Sequence, residues 1–133
     1  CVDGGVYINN PVMAGVADAL RTNPKLSVKD IECLSLGTGA YVEKIGDKSE
    51  SWGLLEWAMP ITTTMMQATS FAATYEANEI LGKHLRLQIN ISDKSRSDMA
   101  DSDPKTAEHI SQLTYSQVLK DPKNSLALIE FFK

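Results

Sequence analysis

Three short stretches near the start of the chain decide its fold class. Residues 1–5 (CVDGG) have the composition of a buried strand that ends in a glycine turn, and Asn10 and Pro11 start an amphipathic helix. Asn can cap free helical amides, and Pro fits the first helical position because its missing N–H would have no partner there. Residues 31–36 (IECLSL) form a second apolar strand, which the glycines of residues 37–39 (GTG) end. Strand, helix and strand in this order predict a βαβ unit with a parallel sheet.

The rest of the chain continues the alternation of helices and strands. Apolar residues at helical spacing predict helices over residues 10–23, 52–81, 103–119 and 125–132. Pro60 predicts a break that divides the second of these into two helices. Gly15 costs a helix about 1 kcal/mol relative to Ala, which predicts that a neighbouring strand lies close to it. Residues 84–89 (HLRLQI) alternate with period two and predict a further strand.

These elements predict an α/β fold, with a parallel or mostly parallel sheet flanked by helices. The 133 residues suit one domain or a large piece of one. Hydrophobic residues make up 43% and charged residues 23% of the chain, which excludes a disordered tail. The net charge of −4 argues against a nucleic-acid binder, which would present a basic face. No apolar run approaches the ~20 residues of a membrane span.

Asp3 is the sharpest candidate for chemistry. An acid that follows an apolar strand and precedes two glycines, Gly4 and Gly5, is unusual. Reactive groups collect at the carboxyl ends of strands in open α/β sheets, and glycines leave room for a partner to reach the carboxylate. The alternative is an Asp that shapes the turn by accepting hydrogen bonds from backbone amides. The residues by themselves leave both interpretations open.

The motifs together resemble a known family. Residues 3–5 (DGG), the Asn10-Pro11 pair and residues 34–39 (LSLGTG) are similar, in order and distance, to the C-terminal half of a patatin-like phospholipase domain. The resemblance extends to the tryptophan-containing helical stretch, the strand at residues 84–89 and the acidic segment before a long helix. It implies a three-layer patatin-like fold, of which residues 1–133 would be the C-terminal portion.

The resemblance also implies an activity. The family hydrolyses fatty-acyl esters of phospholipids or lysophospholipids with a Ser–Asp dyad, and needs no cofactor or metal. Asp3 would be the dyad acid, with Gly4 and Gly5 as the supporting part of its motif. The nucleophile would be a serine on a G-x-S-x-G elbow, and a glycine-rich loop would donate amides to the oxyanion.

The chain departs from the family in one respect. Neither a G-x-S-x-G motif nor the glycine-rich oxyanion loop occurs in residues 1–133. Ser35 lies within a strand without elbow glycines, and Thr38 has no evident base. The expected explanation is a chain that starts at Cys1 in the middle of a protein, so that a missing N-terminal segment of the same domain supplies the serine. A processed product and a mature lipoprotein are the alternatives. The chain alone would be inactive and would expose edge surface.

Two other functions stay open beside the lipid hydrolase. One is an inactive, patatin-like interaction module, and the other is a carboxylesterase for soluble esters. The expected partners are a phospholipid or lysophospholipid, a membrane surface touched transiently and the missing segment, with no nucleic acid. Cys1 and Cys33, without a nearby histidine, predict reduced core thiols rather than a metal site. They favour the cytoplasm as the compartment, with membrane association or secretion as an effector as alternatives.

Three further groups carry weaker hypotheses. His84 and His109 are predicted to be structural, since the resembling dyad dispenses with histidine. The acids of residues 93–103 lack the spacing of a calcium loop, and a helix cap at Asp103 explains that residue. An apolar stripe runs along residues 58–75, and its members are Ala58, Ile61, Met65, Ala68, Ala72 and Tyr75. Its large apolar side chains predict core packing, with an acyl-chain lining or a lipid-facing role as the alternative. They are Trp57, Met59, Met65, Met66 and Phe71.

Overall fold

The computed structural model of the chain describes residues 4–41, 46–93 and 101–133, without the side chains of Asp47, Lys48 and Met59. Helices α1 to α4 and strands β1 and β2 make up the regular structure. In chain order these are α1 (Val12–Thr22), β1 (Glu32–Leu36), α2 (Leu54–Ile80), β2 (Lys83–Leu87), α3 (Pro104–Thr114) and α4 (Pro122–Phe131). The fold is therefore mixed α/β, as the sequence predicts, with helices beside a small two-stranded parallel sheet.

The described residues divide into two compact units. The first contains residues 4–32 and 46–82, and the second contains residues 33–41, 83–93 and 101–133. The strand predicted at Val2, the first of the expected βαβ unit, lies outside the described residues.

Helices α1 and α2 pack together in the first unit. Val12 and Val16 of α1 are buried, four residues apart on one face, and Ala77 is buried on α2. The predicted bounds of α1 are confirmed to within two residues at each end. Among the described residues, no atom outside its own helix lies within 4 Å of the position that a Cβ at Gly15 would take. The strand predicted close to Gly15 is therefore not β1 or β2.

Helix α2 runs without interruption through Pro60, so the predicted division into two helices is wrong. Pro60 lies in the second turn, where its ring removes a single backbone hydrogen bond, the one to the carbonyl of Glu56. The hydroxyls of Thr62 and Thr64 donate to the carbonyls of Ala58 and Pro60, both at 2.8 Å. The first of these carbonyls lies two residues before the proline and the second belongs to the proline itself, and the helix continues past both.

The apolar stripe of α2 faces solvent. All six of its members are exposed, and Met65 retains 63% of its accessible surface. The core packing predicted for Met65 and Phe71 is therefore wrong, whereas Trp57 and Met66 are partly buried. The residues that α2 buries are Pro60 and Ala77, and its Ser70 and Thr74 are half-buried where Asn10 binds them. Periodicity shows that an apolar stripe exists, but it does not show which stripe the rest of the fold covers.

The second unit has its own apolar core around β2. Four buried side chains form the centre, and six partly buried ones surround it. The central four are Leu87, Ile89, Ile91 and Val118, and the others are Leu34, Tyr41, Leu85, Ile110, Leu113 and Leu128. The strand predicted over residues 84–89 is confirmed, with ordered pairing from Lys83 to Leu87. Pairing continues as an isolated parallel bridge between Ala40 and Asn90.

The predicted helix over residues 103–119 is confirmed, and its last turn is a π turn at Tyr115–Leu119. Beside this turn, the Gln117 side chain pairs with both backbone groups of Asn90. It accepts from the Asn90 amide at 2.8 Å and donates to the Asn90 carbonyl at 3.0 Å. Asn90 follows β2, and the Gln117 side-chain amide makes the two backbone hydrogen bonds that a neighbouring strand would otherwise make there. No helix within the described part of the chain is long and apolar enough to cross a bilayer.

Two glycines with opposite surroundings give a test of the fold. Gly15→Ala should raise the free energy of unfolding by about 0.5–1 kcal/mol, because Ala is the better helix former and the space is open. Gly39→Ala should lower it by about 1–3 kcal/mol, because Gly39 has a φ of 110° and an added Cβ would lie 2.8 Å from Ile91 Cδ1. Urea unfolding of both variants measures the change in the free energy of unfolding. Equal changes in the two variants would contradict the opposite surroundings of Gly15 and Gly39.

Candidate functional site

The chain turns sharply at the position that follows Asp3. Asp3 itself lies outside the described residues, whereas Gly4 and Gly5 form a 3-10 turn with Val6. The carbonyl of Gly4 accepts hydrogen bonds from the amides of Tyr7 at 3.0 Å and Ile8 at 2.8 Å. Among the described residues, no atom lies within 4 Å of the position that a Cβ at Gly4 would take. The described part of the chain therefore leaves space open beside Gly4.

Three consecutive apolar residues leave this turn exposed. Tyr7 keeps 84% of its accessible surface, and Val6 and Ile8 are also exposed. Isolated exposed apolar side chains are ordinary, whereas here three successive ones follow the turn.

Asn10 fixes the end of this segment to two helices. It is 3% exposed, and its side-chain oxygen accepts from the Val12 amide, the first of α1, at 3.3 Å. The cap position itself is Pro11, one residue later than predicted. Its side-chain nitrogen donates to the Ser70 carbonyl at 3.2 Å and to the Thr74 hydroxyl at 3.0 Å. These partners satisfy the Asn10 side-chain amide, which would otherwise be buried without hydrogen bonds at a cost in free energy. The link to α2 has no counterpart in the local sequence pattern, which predicted only the cap.

The glycine loop after β1 packs against the end of β2 in the second unit. The Gly37 amide donates to the Leu87 carbonyl at 2.8 Å, and the Gly39 amide donates to Gln88 Oε1 at 2.8 Å. The Gln88 side chain occupies the position that a Cβ at Gly37 would take. Both glycines are therefore required by packing at the carboxyl ends of the strands. Thr38, between them, is exposed.

Ser35 is not arranged as a nucleophile. Its side chain is buried within β1, and its hydroxyl oxygen accepts a 2.6 Å hydrogen bond from Arg86 Nη1. Burial lowers the pKa of the Arg86 guanidinium below its ordinary value. A guanidinium still donates protons and cannot take one from an alcohol at neutral pH, so this pair lacks a general base.

The two histidines lie in the second unit. His84 is partly buried on β2, where burial, and then the charge of Arg86, lower its pKa below the usual 6.5. His84 is therefore neutral at pH 7. His109 lies on α3, and its Nε2 atom is buried without a hydrogen-bond partner among the described residues.

The acidic segment before α3 serves as a helix cap, as predicted. Asp103 Oδ1 accepts from the Lys105 amide at 2.9 Å. Asp101 accepts from the Asp103 amide at 2.9 Å and from the Thr106 hydroxyl at 2.7 Å. Asp98 lies outside the described residues. Within residues 4–41, 46–93 and 101–133, no three His, Cys, Asp or Glu side chains gather as a metal site would require.

Cys33 is a free, partly buried thiol, and Cys1 lies outside the described residues. Comparison of the chain with protein-family models, with curated proteins and with solved structures finds no match.

Removal of the Asn10 side chain should weaken the first unit. Asn10→Ala leaves the Ser70 carbonyl, the Thr74 hydroxyl and the Val12 amide without this partner, and we expect a loss of about 1–3 kcal/mol in unfolding free energy. Asn23→Ala is the matched control, because Asn23 is exposed at the other end of α1 and should change stability by at most about 0.5 kcal/mol. Equal losses in urea unfolding would show that Asn10 is not the anchor.

The neutral state of His84 predicts a pH dependence. Its pKa is lower in the folded chain than in the unfolded one, so the unfolded state binds the proton first as pH falls below 6.5. Stability should therefore be complete above pH 6.5 and should decrease as the pH falls towards the lowered pKa. His84→Gln should have a shallower dependence between pH 7 and pH 5, measured by thermal unfolding. Identical slopes for both proteins would contradict the assignment.

Proposed function

We propose that the chain is the C-terminal portion of a patatin-like domain with a three-layer fold. The complete domain is a serine acyl hydrolase that cleaves fatty-acyl esters of phospholipids or lysophospholipids. Asp3 is the acid of its Ser–Asp dyad, and the serine comes from sequence outside residues 1–133. The observation that carries the proposal is the motif series DGG, Asn10-Pro11 and LSLGTG in this order and at these distances.

The local structure around each motif is compatible with this proposal. A 3-10 turn bends the chain immediately after Asp3, and the open space at Gly4 would admit an incoming hydroxyl group. Asn10 starts α1 and is anchored by hydrogen bonds, which gives the turn a rigid neighbour. LSLGTG is a strand of a parallel pair followed by a glycine loop. Ser35 and Thr38 lack the surroundings of a nucleophile, which supports a serine from elsewhere.

The chemistry follows from the dyad. The Asp3 carboxylate would accept the serine proton while the serine oxygen attacks the ester carbonyl, forming a tetrahedral oxyanion that backbone amides stabilise. Collapse of this tetrahedral intermediate breaks the ester bond. The lipid alcohol leaves with the proton that Asp3 accepted, and the acyl group stays on the serine. A water molecule then attacks the acyl group, with Asp3 accepting its proton, and the fatty acid and free serine are released. A carboxylate is a weak base at its usual pKa of about 3.9, so the complete site must raise its basicity by burial.

The apolar residues beside the turn support a lipid substrate. Val6, Tyr7 and Ile8 are exposed three to five positions after the proposed acid in the sequence, where an acyl chain or a membrane surface would contact them. The membrane contact would be transient, since it rests on a small patch. The free thiol of Cys33 supports a reducing compartment such as the cytoplasm.

Asp3→Asn in the complete protein should reduce hydrolysis of a fluorogenic phospholipid by about 10²–10⁴-fold, because the amide cannot accept the serine proton. The thermal midpoint should stay nearly unchanged. Asp18→Asn is the matched control, because Asp18 is an exposed acid on α1 whose ion pair with Arg21 contributes little. Its turnover should equal that of the wild type.

Three outcomes would overturn parts of the proposal. Retained turnover in Asp3→Asn would remove Asp3 from the mechanism. A complete protein that hydrolyses no acyl ester would be an interaction module. A p-nitrophenyl ester series in which short soluble esters are preferred would indicate a carboxylesterase.

A further inference from the structure

The exposed face of α2 carries an uninterrupted heptad seam. Apolar residues recur at alternating spacings of four and three along the helix, which is the a/d pattern of a coiled coil. The α2 seam consists of Leu54, Ala58, Ile61, Met65, Ala68, Ala72 and Tyr75, and all seven are exposed. Flanking Leu55 and Phe71 are exposed as well and widen the apolar surface.

The seam is separate from the face by which α2 joins its own unit. Ser70 and Thr74 bind Asn10, and Ala77 is completely buried. At 100° per residue these positions lie on the other side of the helix from the α2 seam. Pro60 is buried, so it too lies off the seam and does not interrupt it. The seam is thus not needed for the packing of α1 on α2.

We propose that the α2 seam binds a second copy of this chain, with the two α2 helices antiparallel about a two-fold axis. In one antiparallel register three of the four large seam residues each face an alanine of the partner, and Leu54 lies beyond these layers. Tyr75 then lies opposite Ala58, Ile61 opposite Ala72, and Met65 opposite Ala68. Each layer combines an a position with a d position, and each layer occurs twice, as a two-fold interface requires.

The sequence of α2 is therefore self-complementary in size. Alanine lets the partner helix approach closely, and the large side chain of the partner fills the space that alanine leaves. A shift of this register by one heptad would put Met65 opposite Ile61 and Ala58 opposite Ala68, with large facing large and small facing small. The large-to-small pairing favours the first register over the shifted one.

The extent of the seam suits a dimer. Leu54 and Tyr75 are 21 positions apart, or about 32 Å along the helix. The large seam residues with Leu55 and Phe71 expose on the order of 800 Å², which is about what each partner buries in a standard interface. A membrane is a poorer occupant, because interfacial helices carry Lys or Arg on the polar face. Helix α2 contains three Glu and neither Lys nor Arg.

The inference is independent of the proposed hydrolase activity, and self-association tests it. Sedimentation equilibrium of the 133-residue chain should give a monomer–dimer equilibrium in the micromolar range. Met65→Lys should weaken dimerisation at least tenfold, because it places a charge in a central layer. Leu126→Lys is the matched control, because Leu126 is similarly exposed on α4, away from α2 in sequence. It should dimerise like the wild type, and circular dichroism should show both variants folded.

Disulfide trapping tests the orientation of the helices. Ile61→Cys and Ala72→Cys are made in separate chains that carry serine at positions 1 and 33. An antiparallel pair should give a disulfide between the two different variants after mixing, and little from Ala72→Cys with itself. A parallel pair would give the reverse result, since equal positions would then be adjacent.

Several results would overturn the proposal. These are a wild-type chain that is monomeric at all concentrations, self-association that Met65→Lys leaves unchanged, or association that Leu126→Lys reduces as strongly. Self-linking of Ala72→Cys would reject the antiparallel arrangement. A longer protein whose α2 seam is covered by its own further sequence would be monomeric, and would also reject the second copy as occupant.

Discussion

The buried amide of Asn10 is the interaction on which the first unit depends. One side chain caps α1 through the Val12 amide and binds α2 through Ser70 and Thr74. A primary amide can do this because it offers an acceptor and two donor hydrogens on one rigid plane. The segment from Gly4 to Pro11 thereby ends at a fixed point. Any chemistry at the turn after Asp3 is positioned by this anchor rather than by the turn alone.

The same anchor decides the orientation of α2. A helix that presents Ser70 and Thr74 to a buried partner must turn its opposite side outwards, because the two faces are half a turn apart. Its apolar side chains consequently lie in solvent, which is costly for a surface of this size and explains why a partner is expected there. The rotation of α2 about its own axis therefore decides two things. It gives the polar contact with Asn10 inside the unit, and it leaves the apolar surface exposed outside.

The second unit shows that residues of a family-like motif can serve packing rather than catalysis. The glycines of LSLGTG are explained by the Gln88 side chain beside Gly37 and by the positive φ and close Ile91 contact of Gly39. Ser35 is engaged by Arg86. The strand and its loop therefore have a structural role, and the proposed catalysis depends on Asp3, Gly4 and Gly5.

The sequence by itself determined the two strands and the start of α3, because these follow from local rules. Asp103 caps α3, and the period-two alternation after Lys83 forms a strand, as neighbouring residues dictate. The start predicted for the last helix, residue 125, is wrong by three residues, because Asp121 caps α4 and Pro122 begins it. Only the tertiary structure decided that α2 continues through Pro60 and that Met65 faces solvent. Those outcomes depend on contacts between residues that are far apart in the sequence. Asn10, for example, binds Ser70 and Thr74, which lie 60 and 64 positions away, and its neighbouring residues do not predict these bonds.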